Sequence, residues 1–286
     1  MPELPEVETI ARGLAQNLAG DVIESVWLGS KPEPLKSTPG EIVSTLEHAQ
    51  IEGVRRVGKH IVVDLSRQPP VAGHKRKQVL RFAQDDNAKA QWTIHLGMTG
   101  RLLIAQPDIA VPKHTHAILR LRSGRELRFV DPRRFGRLAV VRHSFEAPGS
   151  EPLAVRFDAF AGLFHKRKTP IKSALLNQSL LSGIGNIYAD ESLFRAGVRP
   201  GRRAASLTRA QLQRLYDAVR EVLREAIAAG GSSVSDYVDS NGDAGFFQFQ
   251  HRVYGREGEP CLVCRTAIKR IVISGRSTHY CPKCQR

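Results

Sequence analysis

The 286-residue sequence lacks any run of 18 apolar residues, which a membrane-spanning helix requires. Its first ten residues include acidic side chains and no basic ones, whereas a secretory signal peptide begins with basic residues followed by an apolar stretch. Internal repeats and low-complexity tracts are also absent. The sequence therefore predicts a soluble, cytoplasmic protein that has no membrane partner.

Acidic residues are scarce relative to basic ones, because 28 Asp and Glu oppose 43 Lys and Arg and leave a net charge of +15. The basic residues are concentrated: residues 112–142 hold nine basic and two acidic side chains, and residues 166–203 and 252–286 each hold eight and two. A strongly basic soluble protein most often binds a polyanion, commonly nucleic acid. The three segments predict one nucleic-acid footprint, with solvated Lys and Arg side chains as the alternative interpretation.

Cysteine is absent until the last 36 residues, which hold all four. Cys261 and Cys264 form one C-x2-C pair, Cys281 and Cys284 form another, and sixteen residues separate the pairs. Thiolates at this spacing close a tetrahedral site of four sulfur ligands, whereas disulfides are disfavoured inside cells. The spacing predicts one structural zinc ion, with mononuclear iron as the alternative, and a β-hairpin between the pairs that presents Arg276 at its tip to nucleic acid.

The hydrophobic pattern changes along the chain from helical to strand-like and back to helical. Apolar residues at helical spacing follow Pro5, short β-branched runs separated by turns fill residues 22–142, and helical patterns return beyond residue 160. The runs Ile51–Leu65 and Trp92–Ile104 are each interpreted as a strand segment. Thr208 with Gln211 predicts a capped helix. We expect an α+β multidomain protein whose N-terminal half is a β-sandwich or barrel with a leading helix.

Two segments are predicted as loops. Residues 66–91 are polar and include five basic side chains between Arg67 and Arg81, which predicts a solvated insertion, with additional nucleic-acid contacts as the alternative. Residues 230–245 are rich in Gly, Ser, Asp and Asn. This composition is typical of a mobile loop. The predicted boundaries are a sandwich domain over 1–143, a linker over 144–160, a helical domain over 161–250 and a zinc finger over 251–286.

The second residue, Pro2, is a candidate nucleophile. A small residue at this position normally permits removal of Met1, which leaves a secondary α-amine at the start of the chain. Because an α-amine has a pKa near 7.7–8.0, a useful fraction is neutral at cellular pH. Attack of this amine on a sugar's anomeric carbon gives an iminium ion that permits elimination, and the adjacent Glu3 can move protons. The alternative is that Glu3 only favours a helix N-terminus.

Several sequence blocks together closely resemble bacterial formamidopyrimidine-DNA glycosylase. They are Met1-Pro2-Glu3-Leu4-Pro5-Glu6-Val7-Glu8-Thr9, His95-Leu96-Gly97-Met98-Thr99-Gly100, Asp131-Pro132-Arg133-Arg134-Phe135-Gly136, Gly183-Ile184-Gly185-Asn186-Ile187-Tyr188-Ala189 and Val253-Tyr254-Gly255-Arg256 running into the cysteines. The resemblance spans nearly the whole chain. It implies a β-sandwich, a helix–two-turn–helix domain and a four-cysteine zinc finger, and a bacterial protein associated with the nucleoid through its binding of DNA.

The activity implied by this resemblance is removal of oxidised purines such as 8-oxoguanine and formamidopyrimidines from double-stranded DNA, followed by β,δ-elimination at the abasic site. Pro2 would be the nucleophile, Glu3 the acid that protonates the sugar, and Lys59 a catalytic lysine near the phosphate. The resemblance further implies DNA contacts by seven side chains: His95, Met98, Arg133, Arg134, Phe135, Asn186 and Arg276. It also implies a monomer that prefers lesions opposite cytosine, and that the segment Ser232–Gln250 closes over the everted base.

Within this set, the resemblance gives four functions. Phosphate contacts are implied for His95, Asn186 and Arg276, and Arg134 more plausibly contacts a phosphate. Met98 fills the space left by the flipped base, Phe135 inserts beside the orphan base, and Arg133 binds the unpaired cytosine. Without the resemblance, Met98 and Phe135 would be interpreted as core residues. Two alternative functions stay open: an endonuclease VIII-like glycosylase for oxidised pyrimidines, and a non-enzymatic zinc-finger protein that binds DNA.

Overall fold

The computed structural model describes residues 1–67, 90–234 and 237–286. The chain divides into two compact units, the first comprising residues 1–2, 7–146 and 236–244, and the second comprising residues 3–6, 147–235 and 245–286. The predicted fold class is confirmed, with a β-sandwich, a helical domain and two C-terminal strands beside a four-cysteine cluster. Most of the predicted insertion over 66–91 lies outside the described residues.

The first unit is built from two four-stranded antiparallel sheets with orders β1-β6-β7-β5 and β2-β3-β4-β8. Its elements are α1 (Leu4–Leu18, whose first turn belongs to the second unit), β1 (Ile23–Leu28), α2 (Pro39–Leu46), β2 (Ala49–Val57), β3 (His60–Arg67), β4 (Ala90–His95), β5 (Arg101–Ala105), β6 (Thr115–Leu121), β7 (Glu126–Val130) and β8 (Arg137–Val141).

The sandwich core follows from the apolar pattern of these elements. Val7, Ile10, Leu14 and Leu18 recur at helical spacing and bury one face of α1 in the same cluster as the inward residues of both sheets. Burying a large aliphatic side chain contributes about 1.5–3 kcal/mol, so this cluster is the principal stabilising feature of the first unit.

Two predicted strand runs are each divided by a turn. Ile51–Leu65 is split between β2 and β3 at Gly58, whose φ of +61° favours glycine. Trp92–Ile104 is split between β4 and β5 by residues 96–100, where Gly97 has φ +62°. Helix α2 was not predicted, although Thr38 and Glu41 form a capping box before an apolar stretch.

The second unit contains α3 (Phe157–Gly162), α4 (Ile171–Leu176), α5 (Asn186–Arg195), α6 (Arg209–Ala228) and the hairpin strands β9 (Lys269–Ile273) and β10 (Arg276–Tyr280). The capping box of Thr208 and Gln211 at the start of α6 is confirmed. Helix α3 begins inside the predicted linker. Among the described residues, no helix is both long and apolar enough to cross a bilayer.

Candidate nucleic-acid-binding and catalytic site

In the second unit, the Glu3 side chain lies at the N-terminus of α5. Its carboxylate accepts hydrogen bonds from the backbone N–H groups of Ile187, at 3.1 Å, and Tyr188, at 3.5 Å. The first N–H groups of a helix have no partner within the helix and point along its positive dipole end. This geometry stabilises a negative charge on Glu3, which is only 3% exposed.

The glycines that precede α5 make room for this carboxylate. A Cβ atom on Gly185 would lie 2.1 Å from the Glu3 carboxyl carbon, and one on Gly183 would lie 2.8 Å from Leu4 Cδ1. Gly183 also has φ +110°, and its carbonyl accepts the Leu4 N–H at 3.0 Å. The Gly-Ile-Gly sequence is therefore required for the close approach of residues 3–4 to the start of α5.

A second buried carboxyl fixes the backbone of Glu3. Glu6 accepts the Glu3 N–H and the Ser232 N–H, each at 2.8 Å, and also accepts the Tyr188 hydroxyl. Burial raises the pKa of Glu6, while these three donors oppose that shift. The residues around Glu3 therefore form one hydrogen-bonded group that joins the chain start, α5 and the segment after α6.

Pro2 lies immediately before Glu3 and belongs to the first unit. It is buried, whereas Met1 is 49% exposed. While Met1 is present, the Pro2 nitrogen is part of a peptide bond and cannot act as an amine. Removal of the exposed Met1 residue would convert this nitrogen into a secondary amine.

In the first unit, Lys59 lies in the turn that leads into β3, and His95 lies at the end of the adjacent strand β4. Lys59 is 8% exposed in the turn between β2 and β3, and the next residue, His60, pairs with His95 across β3 and β4. The His60 and His95 rings are 4.9 Å apart. Burial and the cations around it, which include Lys59 and Arg137, lower the pKa of His95 to about 4.

The hydrogen bonding of His95 defines which ring nitrogen is the donor. Its Nδ1 accepts the Gly97 N–H at 3.0 Å. A neutral imidazole has one acceptor and one donor nitrogen, so Nε2 bears the proton. His95 can therefore donate to a phosphate oxygen without being charged at neutral pH.

Two turns of the first unit present four of the predicted DNA-contact side chains. Asp131, which is fully buried, joins them by accepting the Thr99 hydroxyl at 2.6 Å from one turn and the Gly136 N–H at 2.7 Å from the other. The turns also touch at Gly97, where an added Cβ would lie 2.5 Å from the Phe135 carbonyl carbon. The turns over residues 96–100 and 131–136 therefore form one rigid pair.

The side chains that these turns present are exposed, although Asp131, which joins the turns, is buried. Met98 is 41% and Phe135 51% exposed, which contradicts their interpretation as core residues. The guanidinium of Arg133 stacks on the Phe135 ring at 4.7 Å. Arg134 has φ +58° and forms an exposed ion pair of 2.6 Å with Glu33.

Asn186 and Arg276 lie in one region of the second unit. The Asn186 side-chain amide donates to the Ser277 carbonyl at 3.0 Å, and Ser277 follows the exposed Arg276 on β10. The fully buried Lys172 holds the same hairpin, because its ammonium donates to the Ser277 carbonyl at 2.7 Å and lies 2.7 Å from the Asp190 carboxylate. Burial lowers the pKa of Lys172, and Asp190 opposes that shift.

The four cysteines are brought together at the base of this hairpin. All four Sγ atoms lie within 4.8 Å of one another, with 3.4 Å between Cys264 and Cys281 and 3.9 Å between Cys261 and Cys284. Zinc–thiolate bonds of about 2.3 Å in a tetrahedron require sulfur atoms about 3.8 Å apart. The arrangement is consistent with a zinc ion, and all four cysteines are free thiols.

Sequence reasoning missed the buried groups that hold the exposed ones. Asp131 lies within a quoted sequence block, Asp190 directly follows one and Lys172 lies outside them, yet all three have partners that are distant in sequence. Glu191 is a further example, because it accepts three backbone N–H groups from residues 252–254. A carboxylate or lysine inside an otherwise apolar helical stretch is the available signal for such groups.

Comparison with known proteins identifies family models that match most of the chain. The model described as formamidopyrimidine-DNA glycosylase N-terminal domain matches residues 1–138, the one described as its H2TH domain matches residues 148–238, and the zinc finger found in FPG and IleRS matches residues 258–286. Two similar relatives are both named formamidopyrimidine-DNA glycosylase: one from Solibacter usitatus is 44% identical and one from Thioalkalivibrio sulfidiphilus is 40% identical, each over 100% of both chains.

Solved structures show the same similarity. A Lactococcus lactis FPG mutant in complex with a Fapy-dG containing DNA aligns with a TM-score of 0.86 and 29% identity over 100% of both chains. The MutM (FPG) protein from Thermus thermophilus aligns with a TM-score of 0.81 and 40% identity, covering 99% of this chain and 98% of that one. The Lactococcus lactis Fpg in complex with an abasic site containing DNA gives 0.85 and 29% over 99% of both.

Proposed function

Since this chain belongs to the formamidopyrimidine-DNA glycosylase family, a family of DNA repair enzymes, we propose that it removes oxidised purines from double-stranded DNA and cleaves the resulting abasic strand. The substrates are 8-oxoguanine and formamidopyrimidines paired with cytosine. The enzyme acts as a monomer in the bacterial cytoplasm and associates with the nucleoid through DNA. The net charge of +15 supports binding of the polyanionic duplex.

Pro2 is the nucleophile of this proposal. After Met1 is removed, the Pro2 nitrogen attacks C1′ of the damaged nucleoside, and the C1′–N bond to the base breaks as the base leaves with the proton that the attacking amine gives up. Glu3, in its protonated form, donates its proton to the sugar oxygen as the C1′–O4′ bond opens, and the N–H groups of Ile187 and Tyr188 stabilise the carboxylate that results. The resulting iminium ion acidifies the C2′ hydrogens, so loss of a proton expels the 3′ phosphate and a second elimination expels the 5′ phosphate.

Four side chains are proposed to hold the phosphates near the lesion. Lys59 supplies a fixed positive charge, and the neutral His95 donates from Nε2. Asn186 and Arg276 are supported by their common anchoring to the segment at Ser277. Arg134 binds a further phosphate once its guanidinium leaves Glu33, an exchange that costs little because exposed ion pairs contribute about 0–1 kcal/mol.

The exposed side chains on the paired turns are proposed to stabilise the duplex after the base is flipped. Flipping a base costs a few kcal/mol and leaves a gap in the stack. Met98 fills this gap, Phe135 inserts beside the orphan cytosine, and Arg133 donates hydrogen bonds to its acceptors. The stacking of Arg133 on Phe135 orients both side chains together, and this supports a preference for cytosine opposite the lesion.

One structural zinc ion is proposed to be bound by Cys261, Cys264, Cys281 and Cys284. When bound, the ion supplies structural cross-linking and no reaction step, because four thiolates complete its coordination. The cysteines hold the base of the hairpin, and the hairpin positions Arg276.

The position of Glu3 is the observation on which this proposal depends most. A carboxylate that directly follows Pro2 is buried and held by two N–H groups at a helix N-terminus, a geometry that a simple DNA-binding protein does not require. A buried acid beside a reactive amine is the arrangement that this elimination chemistry needs.

Strand cleavage on three duplexes tests the proposal. Wild-type protein is expected to cleave a duplex with 8-oxoguanine opposite cytosine, to cleave a thymine-glycol duplex more slowly and to leave an undamaged duplex intact. Pro2→Gly is expected to lose cleavage and Glu3→Gln to lose base release, while both bind the duplex like wild type. Preference for thymine glycol would support the endonuclease VIII-like alternative. Tight, salt-sensitive binding without any cleavage would support a non-enzymatic DNA-binding protein.

A further inference from the structure

The segment that follows α6 begins and ends in a hydrogen-bonded stem, which we define as residues 229–233 and 245–251. Its backbone bonds run from the Phe246 N–H to the Ala229 carbonyl and from the Phe247 N–H to the Gly231 carbonyl, both at 2.9 Å. The Ser233 N–H donates to the Gln248 side chain at 2.9 Å. All of these residues belong to the second unit.

His251 closes this stem from inside the protein. It is 8% exposed, and its ring contacts the rings of Phe247 and Tyr254 edge-on, each at 5.6 Å between centroids. Burial lowers the pKa of His251 to about 4, so the ring is neutral at physiological pH. Its Nε2 lies 3.1 Å from the Ser232 hydroxyl, which is also buried.

Ser232 connects this histidine to the group around Glu3. Its backbone N–H donates to Glu6 Oε1 at 2.8 Å, and the other Glu6 oxygen accepts the Glu3 N–H at the same distance. The path from His251 to Glu3 therefore consists of three consecutive hydrogen bonds through two buried intermediates. His251 has no function in the proposed reaction and lies outside the sequence blocks that resemble the family.

We propose that His251 is a positioning residue for base excision, an inference that rests on the proposed glycosylase function. By binding the Ser232 hydroxyl, His251 fixes the orientation in which Ser232 donates to Glu6. Glu6 in turn fixes the backbone of Glu3, so the Glu3 carboxylate stays on the N-terminus of α5. An apolar side chain at position 251 leaves the buried Ser232 hydroxyl without this hydrogen bond and loosens the path.

Substitutions at both ends of the first hydrogen bond test the proposal. His251→Leu removes the ring nitrogen that pairs with the hydroxyl, and His251→Gln supplies a carboxamide at similar reach. Ser232→Ala removes the hydroxyl, and the double variant removes both partners. His165→Leu is the matched control, because His165 is an exposed histidine of the same unit. Rates are measured in single turnover with a duplex containing 8-oxoguanine opposite cytosine and with a preformed abasic duplex.

His251→Leu and Ser232→Ala are each expected to slow excision about tenfold, the effect of losing one buried hydrogen bond. The double variant should be no slower than either, because both changes break the same interaction. His251→Gln is expected to stay within about threefold of wild type. Cleavage of the abasic duplex should be unchanged, because an abasic sugar has no base to release and Pro2 can attack its ring-opened aldehyde without protonation of the ring oxygen by Glu3. Wild-type excision by His251→Leu, equal slowing on both substrates or failure of His251→Gln to restore the rate would overturn the proposal.

Amide hydrogen exchange separates this inference from the glycosylase function. In His251→Leu, exchange of the Ser232 and Glu3 amides is expected to quicken at least about tenfold, with no change in His251→Gln or His165→Leu. Unchanged protection in His251→Leu would overturn the inference whatever DNA the protein cleaves. Failure of the proposed function would instead show as a wild-type protein that releases no base.

Discussion

The two units present their proposed functional groups in opposite ways. In the first unit Met98, Arg133 and Phe135 are exposed on turns, and a buried aspartate at the base of those turns holds the backbone. In the second unit Glu3 and Lys172 are themselves buried, and their charges are met by helix N–H groups or by an opposite charge. The difference indicates that the exposed groups depend on the turns that carry them, whereas the buried groups depend on the charged and polar partners that surround them.

This difference has an energetic consequence. Exposed side chains on turns contribute little to folding, so substitutions there should change DNA recognition more than stability. Buried ionic groups are costly to leave unpaired, so substitutions of buried charged residues should change stability and activity together.

Removal of the proposed zinc ion is expected to have the largest effect on stability and to act on the second unit alone. Structural zinc binding in small fingers contributes about 10–16 kcal/mol, so Cys264→Ser or chelation should unfold residues 258–286 and release Arg276. Hydrogen exchange is the measurement: protection should be lost in β9 and β10 and kept in the sandwich core. Loss of protection in both units would contradict the prediction that metal removal acts on the second unit alone.

Breaking the buried ion pair is expected to be the next largest effect. Lys172→Met leaves Asp190 buried without its cation, which typically costs about 3–5 kcal/mol of unfolding free energy. Arg134→Ala breaks an exposed ion pair with Glu33 in the first unit and should cost less than about 1 kcal/mol. Urea unfolding of both variants checks the difference, and similar losses would show that the burial of Lys172 has no energetic weight.

Two glycine substitutions separate chemistry from recognition. Gly185→Ala places a Cβ against the Glu3 carboxyl group and is expected to slow base excision about 100-fold with DNA affinity unchanged. Gly97→Ala forces apart the two turns that present Met98 and Phe135, so it should weaken duplex binding. Single-turnover rates and binding isotherms provide the measurement. If Gly185→Ala weakened binding as much as Gly97→Ala, the assignment of separate functions would be wrong.

A fall in pH is expected to have the smallest effect on stability, and this effect should fall mainly on the first unit. The pKa values of His60 and His95 are lowered to about 4 by burial, whereas the unfolded chain has values near 6.5. The unfolded state therefore binds more protons between these values, so the free energy of unfolding should fall as pH drops from about 6.5 to about 4.

Among the described residues of the second unit, His251 is the only histidine whose pKa is lowered to about 4 by burial. It is therefore the only histidine there whose protonation lowers the free energy of unfolding in this way. Hydrogen exchange at pH 7 and pH 5 should therefore show a greater loss of protection in the sandwich than in the helical unit. In His60→Gln the loss in the sandwich should shrink. A pH-independent stability would contradict the neutral state assigned to these rings.

The sequence predicts the fold well where local signals suffice. Helical spacing places α1, the capping box of Thr208 and Gln211 places the start of α6, and the spacing of the cysteines predicts their cluster. Strand runs were predicted too long because Gly58 and Gly97 adopt positive φ inside otherwise regular β-branched sequence. Helix α2 was missed although its capping signal is present.

The site is less predictable because its supporting contacts join distant parts of the chain. Lys172 meets the hairpin 105 residues later in sequence, and Glu6 meets Ser232 226 residues later. No local pattern encodes such pairs, since they depend on how the helices pack. The exposed set that includes Met98 and Phe135 was predicted only through resemblance, because composition alone suggests core residues at these positions.

The most direct test of Pro2 as the nucleophile is borohydride trapping of the mature protein on a duplex with 8-oxoguanine opposite cytosine, followed by intact-mass analysis and peptide mapping. We expect one covalent adduct per chain, located on the N-terminal nitrogen of Pro2 and absent from a variant with an extra N-terminal residue. An adduct on Lys59 or on any other lysine, or an adduct that persists in the extended variant, would contradict this assignment.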